Sequence, residues 1–366
     1  MMAFNFSNQV KSRVLTGLTR RTMTFYTHPT QPLTSVFHRE PLVPQIAGST
    51  DKQLLVFIPG NPGLIDYYTT YLEIIQKKYP TLELFNISHA GFQTTDNYIE
   101  LGEGTPFEFY NLEFQINHKV EVLREFLSDR KEKTQLFFLC HSVGAYISQR
   151  VVQSILADPE LAAKVEVRFV GLICPTILDI HKSSSGVFLC RLLWLLPLVR
   201  VVLLLTSFLK LILSESTLKR IVHYKLNTKA LRQENNPDAQ DNMHNSVIAT
   251  YNLVSSQRII KQALTLAEEE MVEITQDDDT NDFFFKELPS KGYGVKIWSF
   301  FADSDYWVHD TSRDAILAKY HDPENKNLLF EIGHVGGITH SFCVDQNTEF
   351  AAITCAALEK LFSNGL

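Results

Sequence analysis

The chain has 366 residues, 45% of them hydrophobic and 20% charged, with a formal net charge of −7. That length and balance suit one large α/β domain carrying an insertion, and the acidic charge without a Lys/Arg-rich stripe argues against a nucleic-acid binder. Five cysteines, odd in number and scattered at 140, 174, 190, 343 and 355, fit reduced thiols better than a disulfide framework.

No Asp or Glu precedes Glu40, whereas Lys11, Arg13, Arg20 and Arg21 stand among serines and threonines. Mitochondrial transit peptides share that composition. The plainer reading, adopted for residues 1–45, is a basic disordered extension. No apolar stretch precedes a small-residue cleavage site, which argues against a secretory signal peptide.

Leu54-Leu-Val-Phe-Ile58 is a continuous apolar run that stops at Pro59-Gly60-Asn61-Pro62-Gly63, predicting a strand buried on both faces and a turn beyond it. Leu64 to Lys78 has helical spacing, and Thr81 to Ser88 is a second strand ending at His89. Phe114 to Leu127 is an amphipathic helix of period near 3.6. Leu136 to Leu139 is a third strand, followed by a small-residue turn and a helix from Gly144 to Leu156. Val165 to Cys174 is the next strand. Far downstream come a strand at Val295–Phe301, a helix near Arg313–Lys319, a strand at Asn327–Ile332, and a final helix from Thr348 to Phe362. Alternating strands and helices predict a mostly parallel sheet covered on both faces, with its chemistry at the carboxyl ends of the strands. The core is assigned to residues 46–176 and 291–366.

Between residues 177 and 290 the alternation stops, and this segment is read as a cap over the site. Its part from Gly186 to Leu213 is too apolar for a surface helix, yet Arg191 and Arg200 divide it and Pro197 kinks it. Charges in mid-membrane are costly, so two apolar arms about a proline read better as a hairpin dipping into one lipid leaflet. A helix pair buried on the core is the alternative. The acidic run Asp277-Asp278-Asp279 reads as a solvated loop.

Cys140-His141-Ser142-Val143-Gly144 has the layout of a nucleophile elbow, in which a strained strand-to-helix turn exposes a serine hydroxyl. Cys140 stands where the G-x-S-x-G pattern has its first glycine. A serine nucleophile needs a base and an acid that orients it, and in α/β-hydrolases these follow in the order Ser, Asp/Glu, His. The loop Ala302-Asp303-Ser304-Asp305 offers two acids, and spacing from the strand favours Asp305 over Asp303. The later loop offers His334 and His340, and position alone gives His340 a modest edge. Val143 N–H is the first candidate oxyanion donor, and Asn61, in the glycine-bearing turn after the first core strand, is the second. His89 and His141 are read as packing or hydrogen-bonding residues. No metal-ligand spacing and no phosphate-binding glycine loop is present, so no cofactor or metal is implied.

The Gly60-Asn61-Pro62-Gly63 turn, the elbow His141-Ser142-Val143-Gly144-Ala145-Tyr146, Asp305 two residues before Trp307, and the late His340-Ser341-Phe342 together resemble the lipid droplet-associated hydrolase family. The likeness runs from Leu54 to Leu361, the insertion matching only in apolar character, and it strengthens His340 over His334. It implies an α/β-hydrolase at lipid droplets and the endoplasmic reticulum, a lipase or esterase acting on neutral-lipid esters such as sterol esters or acylglycerols. The triad is then Ser142, His340 and Asp305, with residues 186–213 as the droplet anchor. The competing class is a hydrolase-fold protein that organises droplets without catalysis.

Overall fold

The computed structural model describes residues 23–28, 31–43, 51–93, 108–227, 237–290, 292–333 and 337–362. Eight strands, β1 (Met23–His28), β2 (Gln31–Arg39), β3 (Asp51–Ile58), β4 (Glu83–Ile87), β5 (Lys133–His141), β6 (Val165–Ile173), β7 (Lys296–Ala302) and β8 (Leu328–Gly333), form one sheet in the order β1-β2-β4-β3-β5-β6-β7-β8. From β4 to β8 every pairing is parallel, and β1 and β2 add an antiparallel edge. The helices of the core are α1 (Thr69–Lys78), α2 (Leu112–Phe126), α3 (Val143–Ala157) and α4 (Pro159–Lys164). The insertion contributes α5 (Ser184–Leu195), α6 (Leu198–Ile212), α7 (Glu215–Asn227), α8 (Pro237–Ser255), α9 (Gln257–Glu273) and α10 (Asp278–Asp282). The core then resumes with α11 (Asp310–Tyr320), α12 (Phe342–Asp345) and α13 (Asn347–Leu361).

Consecutive residues of β3 from Leu54 to Ile58 are all buried, as are those of β5 from Leu136 to Cys140. Side chains alternate across a strand, so burial of every one requires cover on both faces. Helix α1 packs with α13, and α2 with α3. Each fully buried Leu, Ile, Val or Phe contributes about 1.5–3 kcal/mol by leaving water, which makes the central strands the main source of stability. The sheet reverses its direction of growth between β3 and β5, where Ile58 pairs with Cys140. Crevices outside such a switch point are where open α/β sheets bind ligands.

Two expectations need correction. Residues 23–28 and 31–39, read as part of a disordered extension, form β1 and β2; Val36 and Phe37 are buried, and β2 pairs with β4 from Val36↔Ile87 to Arg39↔Leu84. A strand closed by a partner almost fifty positions away leaves little local signature. The acidic run is exposed at Asp278 and Asp279, as expected, but it opens helix α10 rather than forming a loop. Asp277 caps α10 by accepting from Thr280 N–H at 3.0 Å and pairs with Arg150 at 2.7 Å, while Asp278 pairs with Lys319 at 2.8 Å.

The apolar insertion is two helices, α5 and α6, meeting at 89° across Leu196-Pro197. Among the described residues no single helix is long and apolar enough to cross a membrane. Trp194 is 85% exposed, Leu211 83% and Leu204 71%. A pair buried against the core, the alternative considered above, is therefore not what forms.

Candidate active site

Ser142 joins β5 to α3 with φ 55° and ψ −124°, a conformation that L-residues rarely adopt. The turn is pinned by Ser142 N–H donating to Ile173 O at 2.9 Å. A Cβ on Gly144 would lie 2.3 Å from Ile58 O and 2.6 Å from Pro59 O, so glycine is required there for α3 to approach β3. Cys140 has no such constraint. It is the buried penultimate residue of β5, and burial pushes its thiol up to about 12, partly offset by the Ser148 hydroxyl.

His340 precedes α12 and is buried. Its Nε2 lies 3.0 Å from Ser142 Oγ, and its Nδ1 lies 2.8 Å from Asp305 Oδ2. With Nδ1–H donating to the carboxylate, Nε2 is left to accept the serine proton, the arrangement of a hydrolytic triad. Asp305 Oδ1 accepts from Trp307 N–H at 2.7 Å and Val308 N–H at 3.0 Å. Burial works to raise this carboxyl, but the facing His340 ring and the two N–H donors outweigh it and hold it below the ordinary carboxylate value. The Cys174 thiol, at the end of β6, lies against the same carboxylate; burial first, and then that negative charge, push it well above the ordinary thiol value. Asp303 is exposed at the loop surface. His334 lies outside the described residues.

His141 points away from Ser142 into a buried relay. Gly60 N–H donates to the Tyr68 hydroxyl at 3.2 Å, which meets His141 Nδ1 at 2.8 Å, and His141 Nε2 lies 2.8 Å from the His340 carbonyl oxygen. Burial and the neighbouring His340 push His141 down to about 3. It is therefore neutral near pH 7, accepting at Nδ1 and donating at Nε2. His89 is buried under the Gly63 turn, where a glycine Cβ would lie 2.4 Å from its own Cβ.

Val143 is the first residue of α3, so its N–H has no partner within the helix. The Asn61 side chain does not face Ser142. Its Nδ2 donates to Ala263 O at 2.9 Å and to Glu270 Oε1 at 2.8 Å, both on cap helix α9. A chamber of about 330 Å³ opens over Ser142 and His340, walled by Tyr67, Leu189, Leu253, Ala267, Trp307 and Val344, with Asn61 and Glu270 also lining it. Another hollow of about 250 Å³, between Asp179, Asn281 and Lys319, shares no lining residue with it and holds none of these groups.

Two clusters among the described residues bring three potential metal-ligand atoms within 4.8 Å, Cys174–Asp305–His340 and His38–Glu40–Glu83. In the first, Asp305 and His340 are hydrogen-bonded to each other and the thiol is held protonated. In the second, Glu83 is taken by Arg130 at 2.7 Å and His38 at 3.0 Å.

The structure thus brings together Ser142, His340 and Asp305, which the sequence singled out. Tyr68, Cys174 and Glu270 carried no signal in the sequence; a tyrosine on a helix face and an acid in a cap helix look like ordinary residues.

Residues 51–343 match the sequence family described as Lipid-droplet associated hydrolase. A lipid droplet-associated hydrolase of Gallus gallus is 26% identical over 310 residues, covering 82% of this chain and 83% of its own. That of Mus musculus is 25% identical over 342 residues, covering 88% and 87%. Among solved structures, a peroxisomal alpha-beta-hydrolase of Saccharomyces cerevisiae aligns with a TM-score of 0.55 at 12% identity, over 96% of this chain and 88% of that one. A structure from a study of carboxylesterases of Nitrososphaera gargenis aligns at 0.53 and 13% identity, over 93% and 99%. Likeness at such identities speaks for the fold alone. With four-fifths of the chain matched by the family, this protein belongs to the lipid droplet-associated hydrolases and has the α/β-hydrolase fold.

Proposed function

We propose that the protein is a serine ester hydrolase of the lipase or esterase type, acting on neutral-lipid esters such as sterol esters or acylglycerols at a lipid droplet or endoplasmic reticulum surface. The observation that carries this reading is His340 held between Ser142 Oγ at 3.0 Å and Asp305 Oδ2 at 2.8 Å. Ser142 Oγ attacks the ester carbonyl carbon while its proton passes to His340 Nε2, and Asp305 stabilises the imidazolium that forms. The oxyanion takes hydrogen bonds from Val143 N–H and from the backbone of the Asn61 turn. His340 then gives its proton to the leaving alcohol, and a water activated by the same nitrogen releases the fatty acid. No cofactor or metal enters this sequence.

The substrate class rests on the chamber and its surroundings. The wall is mainly apolar, and Leu189 of α5 lines it while the neighbouring Phe188 is 64% exposed. One helix therefore joins the chamber to the apolar outer face of the α5–α6 hairpin. Docking that face into a lipid leaflet, with the exposed Arg191 and Arg200 reaching toward the headgroups, presents the chamber to lipid rather than to water.

The test is labelling by a fluorophosphonate probe together with hydrolysis of an emulsified sterol ester and a triacylglycerol, wild type beside Ser142→Ala. Labelling and cleavage lost in the variant support the reading. A folded wild type that neither labels nor cleaves would favour the droplet-organising alternative.

A further inference from the structure

Glu270 sits in an improbable place. It is 4% exposed, lies on cap helix α9 and borders the same chamber as Ser142. Its Oε1 accepts from Asn61 Nδ2 at 2.8 Å, and Asn61 Nδ2 also donates at 2.9 Å to Ala263 O, two turns earlier on the same face of α9. Both bonds tie the turn after β3 to the cap. We propose that Glu270 is a positioning residue of the active site, which in its uncharged form clamps the Asn61 turn beside the oxyanion and keeps negative charge away from it. This rests on the hydrolase reading above and names a residue through which the cap sets the activity of that site.

The surroundings argue for the uncharged form. Among the described residues no lysine or arginine lines the chamber. The ionisable groups that share it are Tyr67, Tyr68, Cys343, His141 and His340, and burial keeps the first three protonated and His141 neutral. Of the cations on the elements packed against α9, Lys119 donates to Ser88 O at 2.9 Å, Arg124 pairs with Asp158 at 2.7 Å, and Arg191 and Arg200 are exposed to solvent. Lys182 pairs with Asp179 at 2.6 Å, Arg150 with Asp277 at 2.7 Å, and Lys210 donates to Ser255 O at 2.8 Å. On its own helix Glu270 has Glu269 beside it, whose carboxylate accepts from Leu112 N–H at 2.9 Å, while Arg258 and Lys261 lie more than two turns away. Burial pushes the Glu270 carboxyl up to about 8, with the Asn61 bond opposing and Glu269 adding to the rise. Near pH 7 it is a neutral acid. A carboxylate in its place would face the developing oxyanion without a counter-ion, in a medium where charge repulsion is strong.

The consequence is an alkaline limit to activity that belongs to the cap rather than to the triad. As pH rises through the titration of Glu270, negative charge appears at the edge of the oxyanion site and catalysis falls. Glutamine has the shape and the acceptor of the protonated acid but cannot ionise. Alanine removes the acceptor and frees the Asn61 turn.

The experiment compares wild type, Glu270→Gln and Glu270→Ala in short-ester kcat/KM and fluorophosphonate labelling rate from pH 6 to 10. The carboxylic-acid C=O stretch is followed in parallel by difference infrared spectroscopy of wild type against Glu270→Gln. In wild type kcat/KM should fall about tenfold per pH unit above the Glu270 titration. Glu270→Gln should stay within about twofold of wild type at pH 7 and lose that limb, and Glu270→Ala should be about 10²-fold slower at every pH. An unchanged alkaline limb in Glu270→Gln, or a glutamine variant as slow as alanine, overturns the inference. The infrared band decides the charge state without reference to catalysis. A band present at pH 7 and absent in Glu270→Gln supports the proposal, and its absence at pH 7 overturns it. Wild type that fails to label while showing the band would sink the hydrolase reading alone.

Discussion

The backbone carbonyl of His340 lies 2.8 Å from His141 Nε2, so the residue beside Ser142 holds the main chain of the histidine that faces the Ser142 hydroxyl. The same ring meets the Tyr68 hydroxyl, and that hydroxyl accepts from Gly60 N–H, so one relay spans the turn after β3, the elbow and the late histidine loop. Three loops arriving from different strands are registered to one another by this relay.

Tyr68→Phe should therefore cost both stability and rate. It leaves His141 Nδ1 and Gly60 N–H buried without a partner, a loss of about 1–3 kcal/mol per orphaned group. Urea midpoints should fall accordingly. Turnover should drop about tenfold with KM little changed, because a loosened His340 affects the chemical step more than binding. An unaltered kcat in a folded variant would show that the relay does not position His340.

The two acids of the loop after β7 are distinguishable by substitution. Asp305→Asn should lower kcat about 10⁴-fold by reversing the tautomer of His340. Asp303→Asn, at an exposed position, should remain within about twofold of wild type. Equal effects of the two variants would refute the assignment of the acid.

A second buried titratable group sits below the site. Lys119 is fully buried, donating to Ser88 O at 2.9 Å beside His118 Nδ1 at 3.2 Å, and burial pushes it down to about 7. The unfolded chain keeps this proton up to the ordinary lysine value. Between the folded and unfolded values the unfolded state binds the extra proton, so stability rises with pH from about 7 upward, by at most about 1.4 kcal/mol per pH unit. Below the folded value both states are charged and the slope vanishes. Lys119→Met should remove this contribution, seen as a flatter dependence of the urea midpoint between pH 7 and 10. Parallel curves for variant and wild type would be inconsistent with a neutral Lys119.

The outer face of the hairpin predicts a separation of binding from chemistry. Trp194→Asp and Leu211→Asp, at positions 85% and 83% exposed, should each weaken flotation with phospholipid-coated triacylglycerol emulsions about tenfold or more, the loss of one inserted apolar side chain. Cleavage of a water-soluble short ester should be unchanged. Retained flotation in the double variant would argue that another surface docks on lipid.

What local patterning determined is considerable. The run Leu54–Ile58, the elbow at Ser142 and the alternation of strands and helices are set by residues within a few positions of one another, because a doubly buried strand and a strand-to-helix turn each demand a contiguous composition. The order of serine, acid and histidine could be read for the same reason, since each follows a recognisable strand. Only the tertiary structure decided the rest. Glu270 reaches Asn61 across 209 positions, and His141 reaches His340 across 199. Strand β2, with its short and interrupted apolar content, becomes a strand through its pairing with β4. Such contacts have no period and no fixed spacing. They arise when the sheet has set the loops side by side, and burial there gives an ordinary tyrosine, glutamate or lysine its partner and its charge state.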